Sequence, residues 1–237
     1  MKLFYKNRNI SLLFVLFFGL AVYGFFRSYF SLFPAFSERI TLLTHIHGIS
    51  ITFWMLILII QPLLIRFGKH SLHRLIGRYS YAYVAVISLI MILTIRQGYL
   101  KGVGRMSQAD LLAFQFVPVS AFLCFILSYV LAIVIRSRRD VHKSYMIVHA
   151  LGLLWAAFGR LDYHWLGVQT FEQSIAVSYL PSAFLLILIF MYEWVVQKKM
   201  NRVYLIASGA FLATPFLYYF AAEGFLWQRI AKIIFHT

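Results

Sequence analysis

Acid is scarce in this sequence. Seven of 237 residues are Asp or Glu, against 22 Lys and Arg. The carboxylates are Glu38, Asp110, Asp140, Asp162, Glu172, Glu193 and Glu223, and none falls at the middle of an apolar segment. Proton-driven pumps place a carboxylate at membrane mid-depth, so that class is disfavoured. Cysteine is nearly absent as well. Cys124 stands alone, which excludes a disulfide framework and a thiolate metal cluster, and its apolar neighbours make it a small core residue. Charged residues make up 12% of the chain, where soluble domains carry roughly a quarter. A phosphate-binding glycine loop, a serine nucleophile motif, a Cys-x-x-Cys pair and a kinase signature are all missing; "GVG" at 102–104 is a short turn.

Apolar residues fill the space. They are 62% of the chain, mean hydropathy is +0.81, and 19% of residues are aromatic. One core cannot hide that much apolar surface, so the solvent is lipid, with Trp and Tyr suited to the interfaces. The sequence predicts an all-α polytopic membrane bundle of about seven spans. They lie at about 10–30, 41–65, 76–96, 110–135, 143–161, 174–196 and 203–222. The connections are short, so residues 1–237 form a single integral-membrane domain with a core four-helix unit at about 41–161. The first span follows Lys2, Lys6 and Arg8 as a signal peptide would. Its apolar stretch is long and no small-x-small site follows "GFFRSYF", so the expectation is an uncleaved helix. The closing "FLWQRIAKIIFHT" mixes apolar and basic positions and reads as an interfacial extension of the last span.

The net charge of +15 does not point to nucleic acid, because the basic residues punctuate the ends of apolar segments. That is the pattern of topology signals and of contacts with anionic lipid headgroups at the cytoplasmic face. With the N-terminus cytoplasmic, most of the 22 basic residues fall inside, among them Arg66, Lys69, Arg74, Arg78, Arg136, Arg138, Arg139 and Lys143. The expected location is the inner (cytoplasmic) membrane, alone, as a homo-oligomer or within a membrane complex.

Histidines interrupt this pattern. "IRFGKHSLHRLIGRYSY" and "IRSRRDVHKSYMIVHA" each carry Ile-Arg, a basic turn and a His followed by a base, His73-Arg74 and His142-Lys143. A parallel duplication would place His73 and His142 at one depth near the cytoplasmic face. On the second span His47, Trp54 and Gln61 are seven apart and share a face; on the fifth, His142, His149 and Arg160 form a stripe. Polar groups at such depth face the bundle interior and pair with one another.

"HGISITFWMLILIIQPLL" with "LHRLIGRYSY", and then "DVHKSYMIVHALGLLWAAFGR", resemble the DUF2306 type of uncharacterised bacterial membrane proteins. The likeness covers about 41–161 and rests on His47, Gly48, Trp54, Gln61, His73, Arg74, Gly77, His142, Met146 and Arg160; Ser144-Tyr145 departs from it. It implies a fold and positions and carries no chemistry.

Three functional readings remain open. Haem b takes two imidazoles from facing helices in an apolar slot. His73 and His142 supply such a pair, with Arg74, Arg78 and Lys143 for the propionates, and His47 with His149 or His164 is a second candidate pair. This is similar to the two-haem cytochromes of the b561 kind, but span four carries no histidine. Alternatively, His45, His47, Asp162 and His164 offer zinc or copper ligands at the outer end, without a His-x-x-x-His motif. The third reading is non-catalytic: a binder of lipid, quinone or a small amphiphile, or a subunit of a larger complex, with Pro62, Pro118, Pro181 and Pro215 permitting broken helices. His47, Trp54 and Gln61 then simply hold helices together.

Overall fold

The computed structural model describes residues 2–33, 40–161, 167–168, 171–198 and 200–235. Among them every regular element is helical. In chain order these are α1 (Lys2–Phe25), a 3₁₀ turn (Phe30–Leu32), α2 (Leu42–Arg66), α3 (His70–Gly102), α4 (Gln108–Val134), α5 (Arg139–Gly152), α6 (Trp155–Phe158), α7 (Phe171–Gln197), α8 (Arg202–Ala221) and α9 (Phe225–Phe235). Five of them, α2, α3, α4, α7 and α8, are long and apolar enough to cross a membrane. Their outward faces carry large apolar side chains such as Ile60, Leu89, Leu127, Phe184 and Leu205. This is a multi-pass membrane helical protein. The apolar part of α1, Ile10–Phe25, is shorter than the five.

Local chemistry explains the ends. Thr41 caps α2, its hydroxyl accepting from the Thr44 amide at 3.3 Å. The same helix closes on Gly68, whose φ of +71° suits a residue without Cβ. There the Lys69 amide donates to the Leu64 carbonyl at 2.8 Å and the Gly68 amide to Ile65 at 3.1 Å, a Schellman closure that satisfies the last carbonyls. Ser107 caps α4 and Asn201 caps α8 through side-chain oxygens that accept from Asp110 and Val203 amides.

One predicted span is met by a longer helix, and another is broken. The segment 76–96 belongs to a 33-residue helix, α3, whose polar first turns "HSLHRL" dilute its hydropathy. The segment 143–161 is not one helix. α5 ends at Gly152, and the Leu153 and Leu154 amides bond three residues back, to Ala150 and Leu151. The Ser182 hydroxyl of α7 also donates to the Leu151 carbonyl at 3.3 Å. Four residues of α6 come next. The C-terminal segment is likewise a separate helix after a turn at 222–224, not a continuation of α8.

The chain forms two compact units, dividing between Thr94 and Ile95. In the first, α1 packs on α2, burying Phe14 and Phe17 on one side and Trp54, Met55 and Leu58 on the other. The Tyr83 hydroxyl of α3 donates to the Ser50 carbonyl of α2 at 2.9 Å. In the second unit α4 packs on α5, and α7 on α6 and α8. Ala132, Ala150, Ala157 and Ala183 are fully buried, as expected where small residues let membrane helices approach closely.

Candidate functional site

The polar side chains of α5 gather the chemistry of the second unit. His142 is the fourth residue of the helix and half-buried. Its Nδ1 lies 2.8 Å from the Ala132 carbonyl at the end of α4. A carbonyl only accepts, so Nδ1 carries a proton, and in the neutral tautomer the lone pair falls on Nε2.

One heptad on, His149 is enclosed at 0% exposure. Its Nδ1–H meets the Phe125 carbonyl at 2.9 Å and the Ser128 hydroxyl oxygen at 3.2 Å. Ser128 in turn donates to the Cys124 carbonyl at 2.6 Å. The Phe125 and Tyr129 rings stand 4.5 and 5.7 Å from the imidazole. The two His149 bonds join α5 to α4 in the buried interior of the bundle.

Lys143 does not reach toward headgroups or a propionate. Its Nζ donates to Glu193 Oε1 of α7 at 2.7 Å, with both side chains mostly withdrawn from solvent. Asn201 donates from one Nδ2 to Glu193 Oε2 at 2.9 Å and to Ser144 Oγ at 2.8 Å, while Ser144 donates to the Asp140 carbonyl at 2.8 Å. Tyr204 is buried in the same unit. The cluster therefore ties α5 to α7 and to the N-cap of α8, the bonds to the Glu193 carboxylate being charge-assisted. Sequence reasoning missed it. Glu193 and Asn201 look like ordinary end-of-helix residues, and the only cue was Asn201 standing where an N-cap is wanted, after "QKKM".

The other predicted residues scatter. In the first unit, Trp54 is buried and His47 and Gln61 are half-buried on the same helix. Gln61 Oε1 is covered and has no hydrogen-bond partner among the described residues. His45 Nδ1 is 2.9 Å from the Tyr29 hydroxyl. His73 is the fourth residue of α3, the helical position His142 holds in α5, and Arg74 beside it is exposed. Arg160 is not on the α5 stripe, because the helix has ended; it is exposed and donates to the Ala156 carbonyl at 2.6 Å. Asp162 and His164 lie outside the described residues, and with them half of the outer metal set. Among the described residues no three His, Cys, Asp or Glu side chains are grouped to hold a metal ion. No family model, no curated protein and no solved structure matches this chain.

Proposed function

We propose that this membrane protein binds haem b through His142 and serves one-electron transfer within the bilayer. The observation that supports the reading is the His142 Nδ1–H bond to the Ala132 carbonyl. A metal-ligating imidazole ordinarily donates its other nitrogen to a backbone carbonyl, which fixes the tautomer and turns Nε2 toward the metal. The ring is half-buried, so a macrocycle has access to it. Arg138 and Arg139, exposed just before it, are the basic residues at hand for propionates. His149 is assigned to packing, since its ring is enclosed by protein on all sides. Membership of the DUF2306 type is part of the same proposal and rests on the pattern running from His47 to Arg160.

The test is the visible spectrum of protein purified from haem-replete cells. A Soret band is expected, lost in His142→Ala and retained in His149→Leu. A band that survives His142→Ala, or a colourless protein, overturns the assignment. His73→Ala and His47→Ala read out the other imidazoles in the same experiment, and elemental analysis reads zinc or copper at His45 and His47.

One observation favours a second reading, a membrane scaffold without a redox group. The polar side chains of α5 are largely spent on neighbouring elements: His149 on α4, and Lys143 and Ser144 on Glu193 and Asn201. That reading expects colourless, metal-free protein.

A further inference from the structure

The last described helix has three distinct sides. At about 100° per residue, Trp227, Ala231 and Phe235 of α9 share one side. Gln228, Lys232 and Arg229 occupy the next. Leu226, Ile230, Ile233 and Ile234 fill the third.

The first side packs against other helices of the second unit. Trp227 Nε1–H donates to the Leu112 carbonyl at 2.8 Å, and Phe116 meets its ring edge-on at 5.1 Å. Phe235 stacks on Tyr99 at 4.6 Å, and Ala231 is buried against Tyr99, Leu111 and Leu112. These anchors lie at the end of α3 and the start of α4. Two membrane-crossing helices therefore fix the depth of α9 at a span end, the level of lipid headgroups.

The third side is apolar and open: Leu226 is 71% exposed and Ile233 69%, with Ile230 and Ile234 also exposed. Such a face at that depth belongs in acyl chains. Between the two apolar sides lies a shallow cavity of about 330 Å³, lined by Phe225, Gln228, Arg229 and Lys232. Gln228 Nε2 is committed to the Ala109 and Ala222 carbonyls, at 3.1 and 3.0 Å, so the donors facing the cavity are the two cations. Among the described residues no carboxylate lines it. Asp110, nearby on α4, is held by the Ser107 hydroxyl at 2.6 Å, and Glu223 sits on the turn before the helix.

We propose that α9 is a lipid-binding helix whose Arg229 and Lys232 hold the phosphate of an anionic phospholipid while Leu226, Ile230 and Ile233 bed in its acyl chains. Two cations, with no carboxylate beside them among the described residues, neutralise a net negative headgroup and offer nothing to the ammonium of a zwitterionic one. The adjoining apolar side selects a lipid over free phosphate.

The full-length protein in mild detergent is equilibrated with an equimolar mixture of phosphatidylglycerol and phosphatidylcholine, and retained lipid is counted by native mass spectrometry. Wild type is expected to enrich phosphatidylglycerol. The Arg229→Gln/Lys232→Gln variant loses up to about 30-fold of that preference, the equivalent of about 1 kcal/mol per basic residue at an anionic surface. Arg229→Lys/Lys232→Arg keeps it, and so does Lys101→Gln/Arg105→Gln, whose charges lie at the same end of the helices outside the cavity. An unchanged preference in the first variant overturns the proposal. An equal loss on removing Lys101 and Arg105 replaces the site with a diffuse field and overturns it too. Displacement of phosphatidylglycerol by inorganic phosphate at equal phosphorus concentration assigns the cavity to free phosphate and refutes the lipid.

Discussion

Glu193→Ala is expected to cost about 3–5 kcal/mol of stability, as breaking a buried ion pair from one side does. The change strands the Lys143 ammonium, whose partner stood 2.7 Å away in a site nearly closed to solvent. It also removes one acceptor from Asn201, the cap of α8. Three helices thus lose their shared tie at once. Lys143→Met combined with Glu193→Gln recovers all but about 1 kcal/mol of this loss, because no charge is left buried and the Gln carbonyl still accepts from Asn201. Reversible unfolding by sodium dodecyl sulfate in mixed micelles, followed by tryptophan emission, measures both. A single variant within about 1 kcal/mol of wild type would show that water or lipid headgroups satisfy Lys143 unaided.

Trp54→Ala is expected to cost about 3 kcal/mol, the low end for removing a buried Trp. Trp54 is 1% exposed in the first unit, with Met55 and Leu58 buried beside it and the Tyr83 ring 6.2 Å away. In water the loss would include apolar transfer. In a bilayer the separated helices already sit in hydrocarbon, so what remains is chiefly the unfilled cavity and its lost contacts. Trp54→Phe leaves a smaller void and is expected to cost less than half as much. The same unfolding assay ranks the two; equal costs would mean that the indole itself, and not its volume, holds the helix pair.

Hydropathy alone located most helices to within a few residues. The spans expected at 41–65, 110–135, 174–196 and 203–222 are the helices Leu42–Arg66, Gln108–Val134, Phe171–Gln197 and Arg202–Ala221. Apolar runs of that length have one stable answer in lipid, which is why they were legible. The failures share another cause. Nothing in "LGLLWAAFG" breaks a helix as proline would, and the interruption is supported by a hydroxyl from Ser182, a residue of a different helix. Lys143 looked like a headgroup residue because its carboxylate is fifty positions away in sequence. The imidazoles were easy to notice and hard to assign. Their spacing gave His142 and His149 one helix, but only the carbonyls of Ala132 and Phe125 reveal the tautomers.

The brevity of α5 bears on how the chain is made. Fourteen residues reach about 21 Å, short of a hydrocarbon layer of about 30 Å, and the segment carries Asp140, His142 and Lys143. An insertion machinery that weighs each emerging segment by its hydrophobicity releases no such helix into lipid by itself. The carboxylate that neutralises it is synthesised only near the end of α7, so α5 is a late arrival, drawn into place by helices made after it. Cysteine-labelling of nascent chains will register the delay: a residue placed on α5 is expected to react when translation stalls before α7 and to be shielded once α8 has emerged.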